Sequence, residues 1–461
     1  FYIKFDNEEI VIPKISAEIG NGLFNISGNY KNPKYYNIYC AIDNINIKDI
    51  YSIIGKSFPI KGELINSQFR FENNSTNVNT SPFLFSNISI YNGELDNISF
   101  DSLLFSATYH NKRLVISNSL VQTSSGSMQA SGWLNIGLFA DTLSISPHDK
   151  YNIFTSFENF NVAIFKKYFP WKYETSGLLT GTSNISGFAN DLEIISHINV
   201  AYPVFDKIQG NHLSALLKFN KNNLYVNNLN LKTESGEYSG FGNIPINLNI
   251  PILDTINIRQ LPLDFVLTGK TNNIEFIPPY FDAIDSINGY NSYDSSFTMI
   301  LEISRNINNP RYNGQIIINE ASIYTDALNN PIENINGKLQ IIDNKLIIDK
   351  LNGRLFKETQ SKIFKGPLIR ILNKTFKNEN KIQKNNLNIT GSMDLEQFLN
   401  PDYSLHIRGD EIFLESSYNK FEGHGTADLF ITGLDTVFIH GKFYPNPHDF
   451  KILNYENYGK N

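Results

Sequence analysis

The sequence predicts an all-β protein of antiparallel strands, and three observations carry that prediction. The stretch Ser296–Leu355 holds four apolar-alternating runs, each closed by Asn, Gly or Pro. In the first run Phe297, Met299, Leu301 and Ile303 share one face. Ser296, Thr298, Glu302 and Ser304 share the other, with Ile300 the exception. A period of two belongs to a strand, whose successive side chains point to opposite faces. Aromatic residues make up 13 % of the chain and are nearly all Phe and Tyr, alongside abundant Ile and Asn. That mixture favours strands joined by tight turns.

A chain of 461 residues holds two or three compact domains or one elongated repeat array. A net charge of −6 argues against a nucleic-acid partner, which needs a basic surface to displace counterions. The Lys-rich stretch 362–384 also carries Asn and Glu and reads as a solvated loop. The single cysteine, Cys40, excludes an intramolecular disulfide and falls among apolar residues, as a small buried hydrophobe. No run approaches the eighteen or so apolar residues of a membrane span. The chain opens on Phe1 in a strand-like pattern and ends in a polar tail, and so reads as a piece of a longer protein.

In chain order, residues 15–42 give two or three strands around Gly20, Gly28 and Pro33. Residues 44–58 break the alternation: Ile47, Ile50, Tyr51 and Ile54 stand at helical spacing before Pro59 and Gly62, which predicts a short amphipathic helix. Strands resume at Gly62 and continue through 68–71, 83–90, 103–109, 114–122 and 127–136. Further breaks come at Asn161–Tyr173, before Gly177, and at Ile274–Ile287, before Gly289. Taking the three glycines as equivalent gives a long period of about 112–115 residues. The expected units are 1–61, 62–176, 177–288 and 289–461, each a sheet segment with a helical or loop crossover.

Shorter echoes lie inside these units. A strand–turn signal recurs as NISG ending at Gly28 and at Gly187, as EISR ending at Arg305, and as FITG ending at Gly433. Glycine-spaced hairpins recur at Gly126, Gly236 and Gly423-His-Gly425, the last reading as a turn. In these motifs the chain resembles the TamB and AsmA-like family of bacterial envelope proteins. The carriers are the Ser/Thr-Gly, Asn-Pro and Tyr-x-Gly turn at 304–314, the hairpin at 236–246, the crossover before a resetting glycine, and the stretch 411–433. Arg305 departs from the pattern, standing where the other copies have glycine.

The resemblance implies an elongated, twisted, mostly antiparallel open sheet forming a trough with an apolar concave face, plus short crossover helices. It implies a non-enzymatic phospholipid conduit between inner and outer membranes, with a link to outer-membrane protein assembly. The implied partners are phospholipid acyl chains, membranes at the ends of the full-length protein and an outer-membrane β-barrel. The implied location is the periplasm of a diderm bacterium, with an inner-membrane anchor in the full-length protein; no cofactor is implied. Physical chemistry makes this coherent. A diacyl lipid exposes about thirty methylene groups at roughly 0.8 kcal/mol each, so crossing water bare costs on the order of 20 kcal/mol.

The candidate lining is the apolar side of the clearest strands: Ile194, Ile198 and Val200; Leu213, Ala215, Leu217 and Phe219; Phe297, Met299, Leu301 and Ile303. The alternative is that these sides form a dry core against a second sheet or a helix. The amphipathic segments 47–54 and 162–169 would either touch membrane or plug a sheet edge. Catalysis has no signal, since there is no nucleophile elbow, dinucleotide fingerprint or P-loop, and the eight histidines show no metal-ligand spacing. Asp282 and Asp285 read as caps of a crossover. The competing function is an extracellular β-repeat adhesin or structural surface protein, which a closed core would favour.

Overall fold

The computed structural model describes residues 4–6, 9–32, 35–55, 60–74, 83–95, 98–137, 145–164, 174–248, 260–274, 284–289, 295–306, 308–325, 328–356, 385–396, 402–416, 421–433 and 437–452. They form an all-β, antiparallel, open sheet with one α-helix among them. By packing, the chain divides into two units, 1–229 with 243–261, and 230–242 with 262–461.

The first unit begins with β1 (Lys4–Asp6), β2 (Glu9–Ile19), β3 (Gly22–Asn32), β4 (Tyr35–Asp43) and β5 (Ile45–Asn46). Helix α1 (Ile47–Ile54) leads into β6 (Ile60–Leu64), β7 (Ser67–Asn74), β8 (Phe83–Leu95), β9 (Ile98–His110) and β10 (Arg113–Gln122). Next come β11 (Ser127–Asn135), β12 (Lys150–Asn161), β13 (Thr175–Phe188), β14 (Asp191–Phe205), β15 (Ile208–Gln209) and β16 (His212–Asn220). Each long strand pairs with the next, from β2 through β4, then β7 through β14 and on to β16. The chain crosses between the units along β17 (Asn223–Lys232) and β18 (Gly236–Pro245).

The second unit contains β19 (Pro262–Thr271), β20 (Ile284–Gly289), β21 (Phe297–Asn306), β22 (Asn309–Thr325), β23 (Leu328–Ile342) and β24 (Lys345–Arg354). It ends with β25 (Leu387–Asp394), β26 (Asp402–Ser416), β27 (Phe421–Gly433), β28 (Val437–Pro445) and β29 (Lys451–Ile452). Its ladder runs β19, β21 and then in order to β28, with β20 pairing β22 and β29 pairing β27.

Asparagine sets the turns. Asn111-Lys112, Lys221-Asn222 and Asp343-Asn344 have positive φ at both positions. That is the two-residue hairpin geometry whose twist matches the strands it joins. Asparagine also occupies most of the bulges. In the first unit Asn44, Asn66, Asn92, Asn159 and Tyr202 have φ of 48–56° within or between strands. All lie in the half of the sheet nearest the edge that carries α1, here called the helix edge. In the second unit Glu320, Asn334 and Glu411 do the same, each at a register shift. A bulge bends its strand and raises the local twist, so each unit carries a crease a few residues inside one edge.

The predicted helix is present. Asn46 caps its start by accepting from the Lys48 amide at 3.1 Å, and Gly55, with φ of 71°, closes it through Tyr51 O at 2.9 Å. Ile47, Ile50 and Tyr51 pack on a cluster made by Ile42, Ile45, Leu64, Ile90 and Phe100, while Ile53 stays 66 % exposed. The helix therefore seals the edge of the apolar face. In the second break Val162–Ile164 is a single 3₁₀ turn, and 165–173 lie outside the described residues. Residues 362–384 and Asp282 also lie outside them.

Some expectations are corrected. Gly62 and Gly177 are equivalent: each has φ near 140° and is skipped by the register of its ladder. A Cβ would lie 2.6 Å from Ile90 Cγ2 in one case and 2.6 Å from Val200 Cγ1 in the other. In the third copy the skipped residue is Asp285, inside β20, and Gly289 is an ordinary paired residue. The end of the third break is thus strand and not crossover. Ser296 is fully buried, not on the solvent face, because it sits at the junction where β20 gives way to β21 and its amide donates to Asn272 Oδ1. Gly423-His-Gly425 lies within β27, where His424 Nδ1 meets Asp449 Oδ2, and is no turn. Cys40 faces the apolar side opposite Phe69 but is only half-buried.

Arg305 adopts φ of 71°, and its counterparts Gly28 and Gly187 have φ of 142° and 109°. A side chain in this region costs about 1 kcal/mol or more. Arg305→Gly is therefore expected to stabilise the chain by about 1 kcal/mol, read as a higher denaturant midpoint with an unchanged slope.

Candidate functional site

The candidate site is the apolar face of the sheet, and cross-strand register shows how it is laid out. In the first unit a row nearest the helix edge runs Val121, Met128, Phe157, Gly181, Ile198, Ala215 across β10–β14 and β16. A second apolar row, nearer the opposite edge, runs Ile116, Gly132, Ile153, Ile185, Ile194, Phe219. These rows belong to separate clusters. Phe160, Leu179 and Val200 anchor the one at the helix edge. Tyr151, Ala189, Leu192, Phe219 and Ile246 anchor the other.

Between the two rows lies a third, Ser119, Ala130, Thr155, Ser183, Ser196, all half-buried and in register on β10–β14. Ser196 Oγ donates to Ser183 Oγ at 2.7 Å. Phe105 and Leu217 bound the row at its two ends. Tyr151, in the cluster far from the helix edge, is 5 % exposed and its hydroxyl has no hydrogen-bond partner among the described residues. Burial and the Asp149 carboxylate beside it push that phenol above its ordinary pKa.

In the second unit Phe297, Leu301, Ile318, Leu339, Ile341, Leu346, Ile348 and Leu351 are buried in one cluster spanning β21–β24, and Leu355, Leu387, Ile412 and Ala427 form another. Leu267, Met299, Ile303, Ile316, Met393 and Leu405 pack against the first. Near one edge β24 stops at Arg354 and β25 starts only at Leu387, and there β23 meets β26 directly. Asn330 joins them. Its Nδ2 donates to Phe413 O at 2.9 Å and Phe356 O at 3.3 Å, and its Oδ1 accepts from the Glu415 amide at 3.2 Å.

The predicted lining residues all stand on this face. Val200, Ala215, Phe219, Phe297 and Leu301 are buried; Ile194, Ile198, Leu213, Leu217, Met299 and Ile303 are half-buried. Register brings Ile194 against Phe219, Ile198 against Ala215 and Val200 against Leu213. Among the described residues no second sheet covers them. Burial comes from neighbouring side chains about 5 Å apart and from turn residues such as Ala189 and Ile246 closing over the ends. The opposite face is mixed, with the Lys218–Glu193 ion pair at 3.3 Å, Arg113 stacked on Trp133, and Ile195 and Ile300 exposed.

The hydroxyl row escaped prediction because its members are scattered over the chain. A signal existed, since Ser196 sits in phase between Ile194 and Ile198, and Thr155 between Ile153 and Phe157. No protein-family model, no curated protein and no solved structure matches the chain.

Proposed function

We propose that the chain is a non-enzymatic conduit that carries phospholipid acyl chains along its apolar face. One observation carries this reading: long apolar rows run across successive strands of a single open sheet, buried or half-buried by their own neighbours, with no layer over them among the described residues. Such rows present a continuous low-energy path for methylene groups, and each group so sheltered recovers roughly 0.8 kcal/mol. Transport along it is passive. The motif resemblance to TamB and AsmA-like proteins adds an envelope setting, membranes at the ends of a longer chain, a barrel partner and a part in outer-membrane assembly.

A photo-crosslinker at Leu217 or Leu301 tests the reading. In cells it is expected to capture several-fold more phospholipid than one at Thr298, which the register places on the opposite face. Equal capture at both faces would rule the conduit out.

A further inference from the structure

The face opposite the candidate lining carries a recess that the conduit leaves unused. It lies on β4, β7 and β8 of the first unit, measures about 580 Å³, and is lined by Asn37, Tyr39, Arg70, Phe83 and Phe85. That volume falls within the roughly 300–1,000 Å³ of small-molecule sites. Register sets the recess out as two rows, Tyr39–Arg70–Phe85 and Asn37–Glu72–Phe83. On the same three strands Ile42, Phe69 and Ile88 supply the apolar cluster of the other face, so the outward rings take no part in it.

Tyr39 and Phe85 rise from strands about 9.6 Å apart. Two van der Waals contacts take up about 7–8 Å, so one saturated ring fits between these side chains. Arg70 stands in register between them, but its Nη2 meets Glu72 Oε2 at 2.9 Å and its Nε donates to Asn37 Oδ1 at 3.4 Å. Both bonds draw the guanidinium out of line, toward the neighbouring row. The floor is then a neutral set of donors and acceptors, made by a guanidinium, a carboxylate and a carboxamide. Arg70 disfavours a cation there, and Glu72 disfavours an anion. Aromatic walls over such a floor suit an uncharged ring with apolar faces and a polar rim.

We propose that this recess binds a neutral pyranose with equatorial hydroxyls, as one unit of a glycan chain. Its C–H faces lie against Tyr39 and Phe85. Its rim hydroxyls donate to Glu72 and accept from Arg70 and Asn37. An axial hydroxyl would press an unpaired polar group against an aromatic wall. The site is independent of the conduit, on the other side of the sheet.

Calorimetric titration of the purified chain with cellotetraose tests the proposal, with β-1,4-linked mannotetraose, whose O2 is axial, as the comparison. Cellotetraose is expected to bind with a Kd of about 0.1–1 mM, as one enclosed ring and a few hydrogen bonds give. Mannotetraose should bind about tenfold more weakly. Tyr39→Thr, which keeps a strand-forming residue, and Arg70→Met should each weaken cellotetraose about tenfold without lowering the urea midpoint. Phe154→Thr, which removes an exposed ring on the same face outside the recess, should leave binding unchanged. No binding at millimolar cellotetraose, equal binding of the two sugars, or undiminished binding in either recess variant overturns the proposal, and each leaves the conduit standing.

Discussion

Phe219→Ala is expected to destabilise the first unit by about 3–5 kcal/mol. Phe219 is 1 % exposed and lies where β16 meets β14, with Ile194 directly opposite. Tyr151, Ala189, Leu192 and Ile246 complete its surroundings, and two of these, Ala189 and Ile246, lie outside the strands and are held by their own backbone hydrogen bonds. Such a frame collapses poorly around a void, which places the loss in the upper part of the usual range. Urea unfolding followed by tyrosine fluorescence would measure it. A loss below about 1 kcal/mol would mean that this part of the face is open to water and not packed. Ala215→Gly, two rows away toward the helix edge, removes far less apolar surface and serves as the comparison.

Asn330→Leu should cost about 3 kcal/mol for a different reason. The side chain is 4 % exposed and makes three backbone hydrogen bonds to segments far apart in sequence. Leucine matches its size but strands two carbonyls and one amide, and each buried unpaired group costs about 1–3 kcal/mol. Part of that loss is recovered by water reaching the edge. Asn330→Asp separates the contributions, because it keeps the acceptor for Glu415 N–H and loses both donors. It should therefore be nearly as damaging as leucine. If aspartate were tolerated, the donors would contribute little and the junction would rest on its other contacts, among them the Phe413 amide donating to Leu355 O at 2.9 Å and Asn329 Nδ2 donating to Glu415 Oε1 at 3.2 Å.

The all-β class, the short helix and the phase of every lining candidate were legible because each depends on local spacing. Phe297 to Ile303 alternate on one strand, and Asn46 and Gly55 bracket one helix. What was not legible depends on register between strands. Ser296 looks solvent-facing by alternation, yet the interruption between β20 and β21 turns its surroundings inward. Gly423 looks like a turn beside Gly425, yet its φ of 146° belongs to a strand passing close to Phe450. The hydroxyl row requires the pairing of β10 through β14 before any of its members becomes a neighbour of the next. The same holds for Asn330, two of whose partners lie more than eighty residues away.

The crease has a consequence for how such a protein changes over time. Every bulge absorbs one residue without disturbing the ladder on its inner side. The outer hem of the sheet, with α1 and the long connections, is thereby out of step with the rows that run behind it. A residue gained or lost in the hem alters only the hem, while Ile194, Ser196 and Ile198 keep their places against Phe219, Leu217 and Ala215. A wall assembled this way accepts varied borders and still presents one uninterrupted inner pattern.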